Sequence, residues 1–204
     1  MIKIENIDVF NFEGAIRGMR NPLESWAKSD SYYDGNTFIV GEKDIALMKK
    51  LYHAGSEHRK CLRQIFVSMD ITAPLFFLKE LDQYKVGVTS DSCSTMHCIH
   101  KKPFSFDDFS CEHLNNKSLI LLGDIIDQLN YERQIFLDTK DKDAWWQMIQ
   151  LLPTSYNQKR TYTMSYENIM AIINQRSGHK LDEWNDAVAI FRELPYVKAI
   201  RGER

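Results

Sequence analysis

Residues 73–97 read APLFFLKELDQYKVGVTSDSCSTMH. Pro74 suits the first turn of a helix, where its missing N–H costs nothing. Leu75, Phe77, Leu78 and Leu81 follow at helical spacing and predict an apolar stripe running to about Lys85. Lys79, Glu80, Asp82, Gln83 and Lys85 lie on the polar side. On pattern alone that side reads as a solvated helix face with charge pairs one turn apart. The next stretch, VGVTSDSCSTM at 86–96, is small and polar and predicts a loop or an extended edge. Ser90, Ser92 and Ser94 offer hydroxyls able to bind phosphate or a base edge, and Asp91 offers a carboxylate acceptor. Cys93 is either a nucleophile, if its pKa is lowered, or a small buried group. A polar helix end followed by a hydroxyl-rich loop is compatible with a nucleotide site.

Upstream, Leu62, Ile65, Val67, Met69 and Ile71 predict a buried strand, or a helix running into one. A helix with Ile45, Met48, Leu51 and Tyr52 on one face is expected between Gly41 and Gly55. Ile2, Ile4, Ile7 and Val9 predict an N-terminal strand, with a short helix from Asn11 to Gly18. Between them lies GMRNPLESWAKSDSYYDGN at 18–36, rich in turn formers and aromatics. A loop of this length in a compact domain is usually functional or packs on itself. Downstream, Lys101 to His113 reads as a second loop and Ser118 to Thr139 as a strong helix. Asp141 or Asp143 can cap the next helix, which ends at Pro153. Gln158, Lys159 and Arg160 follow at an expected loop position able to reach anions. Ser165 caps a helix through Arg176, and the last helix runs from Leu181 to Leu194. The expected fold class is α+β, a strand-containing first half before a helical C-terminal half. One domain spans 1–204, with 176–204 a helical extension.

Composition narrows the function. Of 204 residues, 44% are hydrophobic and 26% charged, with only 9 Gly and 5 Pro, so disorder and collagen are excluded. Net charge is −2, which argues against bulk binding of nucleic acid. No apolar run approaches the roughly 20 residues needed to span a bilayer. The N-terminus has no signal-peptide core, so a cytoplasmic protein without membrane partners is expected. Cys93, His97, Cys98, His100, Cys111 and His113 cluster, but no Cys-x-x-Cys occurs and the spacings match no zinc finger or ribbon. No metal is expected.

The 73–97 stretch resembles the motif of the flavin-dependent thymidylate synthases, the ThyX family. That motif runs Pro-apolar-aromatic-x-x-Arg-Gln-x-x-Arg-His-Arg-x-x-Ser-x-Asn-Glu-x-Ser-x-Arg-Tyr. Aligned without gaps from Pro74, the Arg-Gln pair falls on Lys79-Glu80 and the Arg-His-Arg on Gln83-Tyr84-Lys85. Its first Ser falls on Val88 and its Asn-Glu on Ser90-Asp91. The second Ser falls on Cys93 and the Arg-Tyr on Thr95-Met96. Phe66 to Ile71 takes the place of the family's Phe-x-Phe-x-Ile strand. QMIQLLPTSYNQKR at 147–160 is similar to the family's later segment, with Leu152 where an arginine is usual.

The resemblance implies a ThyX-like domain with a mixed sheet and long helices, assembled as a homotetramer with sites shared between subunits. It implies FAD as hydride carrier and reductive methylation of dUMP to dTMP. The implied nucleotide or cofactor-binding set is Lys79, Glu80, Gln83, Tyr84, Lys85, Ser90, Asp91, Cys93, Ser94, His97, Gln158 and Arg160. Gln83, Thr95 and Leu152 replace arginines that would hold phosphates, and neutral side chains cannot make their bidentate contacts. Losing several such contacts, each worth about 1.5–3 kcal/mol, weakens FAD and dUMP unless other cations compensate. Arg17, Arg20, Arg59, Arg63 and Arg160 are the candidates. Thymidylate synthase activity is therefore expected to be weak or absent, the alternative being a non-catalytic protein that sequesters or senses a nucleotide.

Overall fold

The computed structural model describes residues 2–203. In chain order its elements are β1 (Lys3–Phe10), α1 (Phe12–Arg20), β2 (Tyr32–Asp34), β3 (Thr37–Ile39), α2 (Glu42–His53), β4 (Phe66–Pro74) and α3 (Leu75–Leu81). There follow β5 (Thr89–Ser92), α4 (Thr95–Cys98), α5 (Asn116–Thr139), α6 (Lys142–Leu151), β6 (Asn157–Ser165), α7 (Tyr166–Arg176), α8 (Asp182–Arg192) and α9 (Val197–Arg201). The fold is α+β, as the sequence predicts. Four strands form one sheet in the order β1-β4-β6-β5, and β2 pairs with β3 as a separate antiparallel hairpin.

β4 owes its place to period-two patterning. Val67, Met69, Ile71 and Ala73 are all buried while the residues between them are half-exposed. Pro74 closes the strand in extended geometry, φ −65° and ψ 148°, and stands just before α3 rather than inside it. Its ring has no N–H to give a sheet ladder, so the strand stops there and the helix starts. α3 ends at Leu81, short of the expected Lys85. Gly87 then turns the chain at φ 70°, a conformation that favours glycine. Phe77 is buried and Phe76 half-buried, so neither aromatic of this helix is exposed.

Two elements depart from the sequence reading. The 18–36 stretch is not all loop: Tyr32 pairs with Ile39 and Asp34 with Thr37 across the two-residue turn Gly35-Asn36. Gly35 takes φ 59° there, the positive φ that a tight hairpin turn demands. Gln158, Lys159 and Arg160 lie on β6 and not in a loop, so the second half is not purely helical. Inward Gln158, Tyr162 and Met164 against outward Lys159 and Thr161 give β6 its strand period.

The chain divides into two compact units, each discontinuous in sequence. Unit 1 holds residues 2–3, 71–83 and 91–160. α5 packs on α6, and its core is Ile99, Phe104, Phe109, Leu122, Ile126, Leu129 and Met148. Asn115 caps α5 and Asp141 caps α6, each accepting a backbone N–H in the first turn. Unit 2 holds residues 4–70, 84–90 and 161–204. There α7 packs on α8 and α2 on α9, around fully buried Tyr166, Ile169, Ile172, Trp184 and Val197. Ser165 and Asn168 close a reciprocal box over the start of α7. No helix among the described residues is long and apolar enough to cross a membrane.

Candidate functional site

Unit 1 contains a cavity of about 490 Å³. Cys93, Ser94 and Gln158 line it, together with Tyr156, Lys102 and Asp108. The backbone fixes the first three. Cys93 N–H donates to the Lys159 carbonyl at 2.9 Å, and buried Gln158 returns a bond from Nε2 to the Cys93 carbonyl at 2.7 Å. Ser94 caps α4, its hydroxyl accepting the His97 N–H at 3.2 Å. Gln158 Oε1 accepts from Arg160 Nε at 2.8 Å, and Arg160 Nη1 reaches both oxygens of Asp82 at 2.9 Å.

Of the sequence-predicted residues, then, Cys93, Ser94 and Gln158 share one cavity. Arg160 stands behind Gln158 with its charge on Asp82. Lys79, Gln83, Asp91 and His97 are exposed in unit 1, outside that lining, and Glu80 is half-buried. Gln83 bonds back to the Lys79 carbonyl at 3.3 Å. Tyr84, Lys85 and Ser90 belong to unit 2. Lys85 and Ser90 are exposed, while the Tyr84 hydroxyl donates to Gln175 Oε1 at 2.9 Å and accepts from Arg176 Nε at 3.0 Å. Arg176 also lies over the Tyr84 and Trp184 rings, so Tyr84 is a packing residue of unit 2.

Three lysines, Lys101, Lys102 and Lys159, line the unit 1 cavity beside Asp107 and Asp108. Lys102 is ion-paired with Asp108, whose hydrogen bond raises the lysine's pKa. The second Asp108 oxygen accepts the Ser105 N–H at 3.0 Å. Burial, then the Asp108 charge, push the Tyr156 hydroxyl's pKa up, so it stays a neutral donor near neutral pH. The chemistry available is polar recognition by hydroxyl and amide groups. Sequence reasoning missed Lys102, Asp108 and Tyr156. Ser105 three residues before Asp108 was a legible capping signal, but it marks the turn and not the pairing.

Unit 2 contains a larger cavity, about 870 Å³, to which the 18–36 stretch contributes Met19, Arg20, Ser25 and Lys28 among others. Lys28, Lys43, Lys60 and His58 surround apolar Met19 and Leu47. None of the three lysines has an ion-pair or side-chain hydrogen-bond partner among the described residues. Cys61, at its wall, is buried, and burial pushes its thiol up to about 11. No group of His, Cys, Asp and Glu among the described residues is arranged to hold a metal ion.

Most of the arginines that could replace the motif's cations are engaged. Arg20 is buried against fully buried Asp44, its Nε donating at 2.6 Å. Arg59 and Arg63 both pair with Glu167, and Arg160 pairs with Asp82. Arg17 alone of these candidates has no bonding partner among the described residues. A FAD pyrophosphate needs fixed cations or helix N-termini. Gln83, Thr95 and Leu152 are neutral and Arg160 is occupied, so the residues at the motif positions do not fit FAD held in the family's manner.

No protein-family model matches this sequence, and no curated protein matches it. Its structure does have close likenesses. Thymidylate Synthase X (ThyX) from Helicobacter pylori, solved with FAD and dUMP, matches with a TM-score of 0.73 at 18% identity, over 98% of this chain and 97% of that one. A second Helicobacter pylori ThyX complex with FAD and dUMP matches with a TM-score of 0.69 at 18% identity, over 97% of each chain. The UMP/dUMP methylase PolB from Streptomyces cacaoi, bound with 5-Br dUMP, matches with a TM-score of 0.68 at 15% identity, over 100% of this chain and 96% of that one. The fold of this chain is that of the ThyX flavin-dependent thymidylate synthases.

Proposed function

We propose that this chain is a divergent ThyX-like nucleotide-binding protein whose capacity to convert dUMP to dTMP is weak or lost. The observation that carries the reading is the gathering of Cys93, Ser94 and Gln158 round one cavity, on a fold shared with enzymes solved with dUMP or 5-Br dUMP. Hydroxyl and amide groups suit a base or sugar. The loss of function follows from charge. Gln83, Thr95 and Leu152 cannot clamp a phosphate, and Arg160 would have to leave Asp82 to do so. Misplacing a reacting group by about 1 Å can cost 10²-fold in rate. Lys79, Glu80, Gln83, Lys85, Ser90, Asp91 and His97 complete the proposed site when copies of the chain assemble. A homotetramer in the cytoplasm, with 1–204 as one domain, belongs to the same proposal.

A second reading, a working FAD-dependent thymidylate synthase, is favoured by the unpaired Lys28, Lys43 and Lys60 round the unit 2 cavity. They supply cations that the motif lacks. FAD, where bound, supplies the hydride chemistry, and this chain's residues would hold and orient ligands. The two readings separate in a thymidine-requiring bacterial strain lacking its own synthases. Absence of growth without thymidine, with soluble protein present, is the expected result. Growth that is lost on Lys85→Ala or Asp91→Ala would favour the working enzyme.

A further inference from the structure

The 18–36 stretch, conspicuous in sequence, does more than lend Lys28 to the larger unit 2 cavity. With α1 and β3 it builds a separate pocket in unit 2, about 450 Å³ in volume, lined by Glu13, Arg17, Arg20, Trp26, Ser31 and Phe38 among others. Only Arg20 is shared with the larger unit 2 cavity. We propose that this pocket binds a planar aromatic anion, with its ring against Trp26 and Phe38 and its negative group on Arg17.

Arg20, Ser29 and Ser31 all face the pocket, but Asp44 takes each of them: Ser29 Oγ at 2.5 Å, Ser31 Oγ at 2.7 Å and Arg20 Nε at 2.6 Å. The floor is therefore polar, fixed and already satisfied. It positions a ligand without competing for its charge. Above it, Trp26 is 49% exposed, an unusual state for so large a ring. Its indole N–H is pinned to Asn21 Oδ1 at 2.9 Å, so the ring plane is set before any ligand arrives. Phe38 is held by an edge-to-face contact with Tyr33, centroids 5.2 Å apart.

Charge at the mouth is arranged by a displaced pairing. Glu13 precedes Arg17 by one turn of α1, the spacing at which the two would ordinarily pair. Instead Glu13 accepts the Tyr33 hydroxyl at 2.8 Å, a bond that raises the Tyr33 pKa. Arg17 is left as a guanidinium with no partner among the described residues, beside exposed aromatic faces. A guanidinium takes a carboxylate or a phosphate bidentately and stacks on rings. The volume falls in the ordinary range for a small organic ligand, roughly 300–1,000 Å³.

The shared chemistry of ring plus anion could come from a nucleotide or from an aromatic acid. Equilibrium dialysis of the full-length protein with adenosine 5′-monophosphate and with indole-3-acetate distinguishes these sources. At least one probe should bind at millimolar concentration or tighter. Arg17→Ala should weaken that binding by about tenfold or more, as loss of a charge-assisted contact does. Trp26→Phe should keep most of the binding and Trp26→Ala should lose it, while Lys180→Ala, at an exposed position away from the cavities, should leave it unchanged. Circular dichroism of each variant guards against misfolding. Absence of binding by either probe, or binding that survives Arg17→Ala in a folded protein, would overturn the proposal.

Discussion

The unit 1 and unit 2 cavities differ in how much of their positive charge is already paired. Beside the first, Lys102 is paired with Asp108 and Arg160 with Asp82. Around the second, Lys28, Lys43 and Lys60 stand without carboxylate partners, although the Arg20–Asp44 pair at its edge is buried. An incoming phosphate in unit 1 finds Lys102 already held by Asp108, with exposed Lys101 at the same cavity, whereas in unit 2 it meets three lysines with no carboxylate partner. The first cavity suits a ligand read by hydrogen bonds, the second a ligand held by charge. The same contrast separates two kinds of ion pair, one that is structural and one that is a local charge balance.

The largest effect should come from that last distinction. Asp44 accepts bonds from Arg20, Ser29 and Ser31, and Asp44→Ala would leave the buried Arg20 charge with only the Ser25 carbonyl. Breaking a buried pair costs about 3–5 kcal/mol, and urea unfolding should read a loss of that order. Asp82→Ala removes a pair whose carboxylate side chain is 42% exposed, so the loss should be about 1 kcal/mol or less. Equal losses in the two variants would break the comparison. The pH dependence has a definite sign. Burial alone would raise the Asp44 pKa, but hydrogen bonds from Ser29, Ser31 and Arg20, with Arg20's charge, hold it below its ordinary value. A depressed folded pKa gives stability that is full above the unfolded value, roughly 3.9, and lost as pH falls through the folded one. Asp44→Ala should flatten this acid limb of the stability profile.

Anion binding sharpens the contrast next. With inorganic pyrophosphate as probe, Lys43→Ala combined with Lys60→Ala should weaken binding by about tenfold, on the scale of charge-assisted contacts. Lys102→Ala should change it little, because that lysine already serves Asp108. Isothermal titration at low salt would read both.

The thiols provide a smaller, residue-level contrast. Cys61 at the unit 2 cavity is buried, with its thiol pushed up to about 11, whereas Cys93 at the unit 1 cavity is exposed. Iodoacetamide at pH 8 should modify Cys93 and leave Cys61 untouched until the protein unfolds. Modification of native Cys61 would mean that the unit 2 cavity opens further than its geometry indicates.

These contrasts also explain what could be read in advance. β4 was legible because Val67, Met69 and Ile71 alternate, and α5 because its apolar residues recur at helical spacing. β6 was obscured by Gln158, Lys159 and Arg160, whose polarity resembles a loop until Tyr162 and Met164 are counted in the same period. The β2–β3 hairpin hid among turn formers, although Asp34-Gly35 between aromatic runs was a hairpin signal. The meeting of Cys93 with Gln158 was legible only through the family layout. The pairing of Arg160 with Asp82, 78 residues away, was not legible at all, because side-chain partners at that separation follow from the tertiary fold and not from local pattern. That pairing is what turns Arg160 from an available cation into a committed one.

The smallest expected effect tests whether unit 2 is ordered from its helix ends. Ser165→Ala removes the cap of α7 and should cost about 1 kcal/mol. Thermal unfolding would read this as a modest drop with the fold intact.

We propose, then, a ThyX-like fold that retains a nucleotide while its flavin chemistry is weak or lost. Mass spectrometry of the small molecules released from freshly purified, denatured protein tests it most directly. The account predicts a nucleotide in amounts comparable to the chain and no stoichiometric flavin. Recovery of FAD at one equivalent, or of no nucleotide at all, would contradict it.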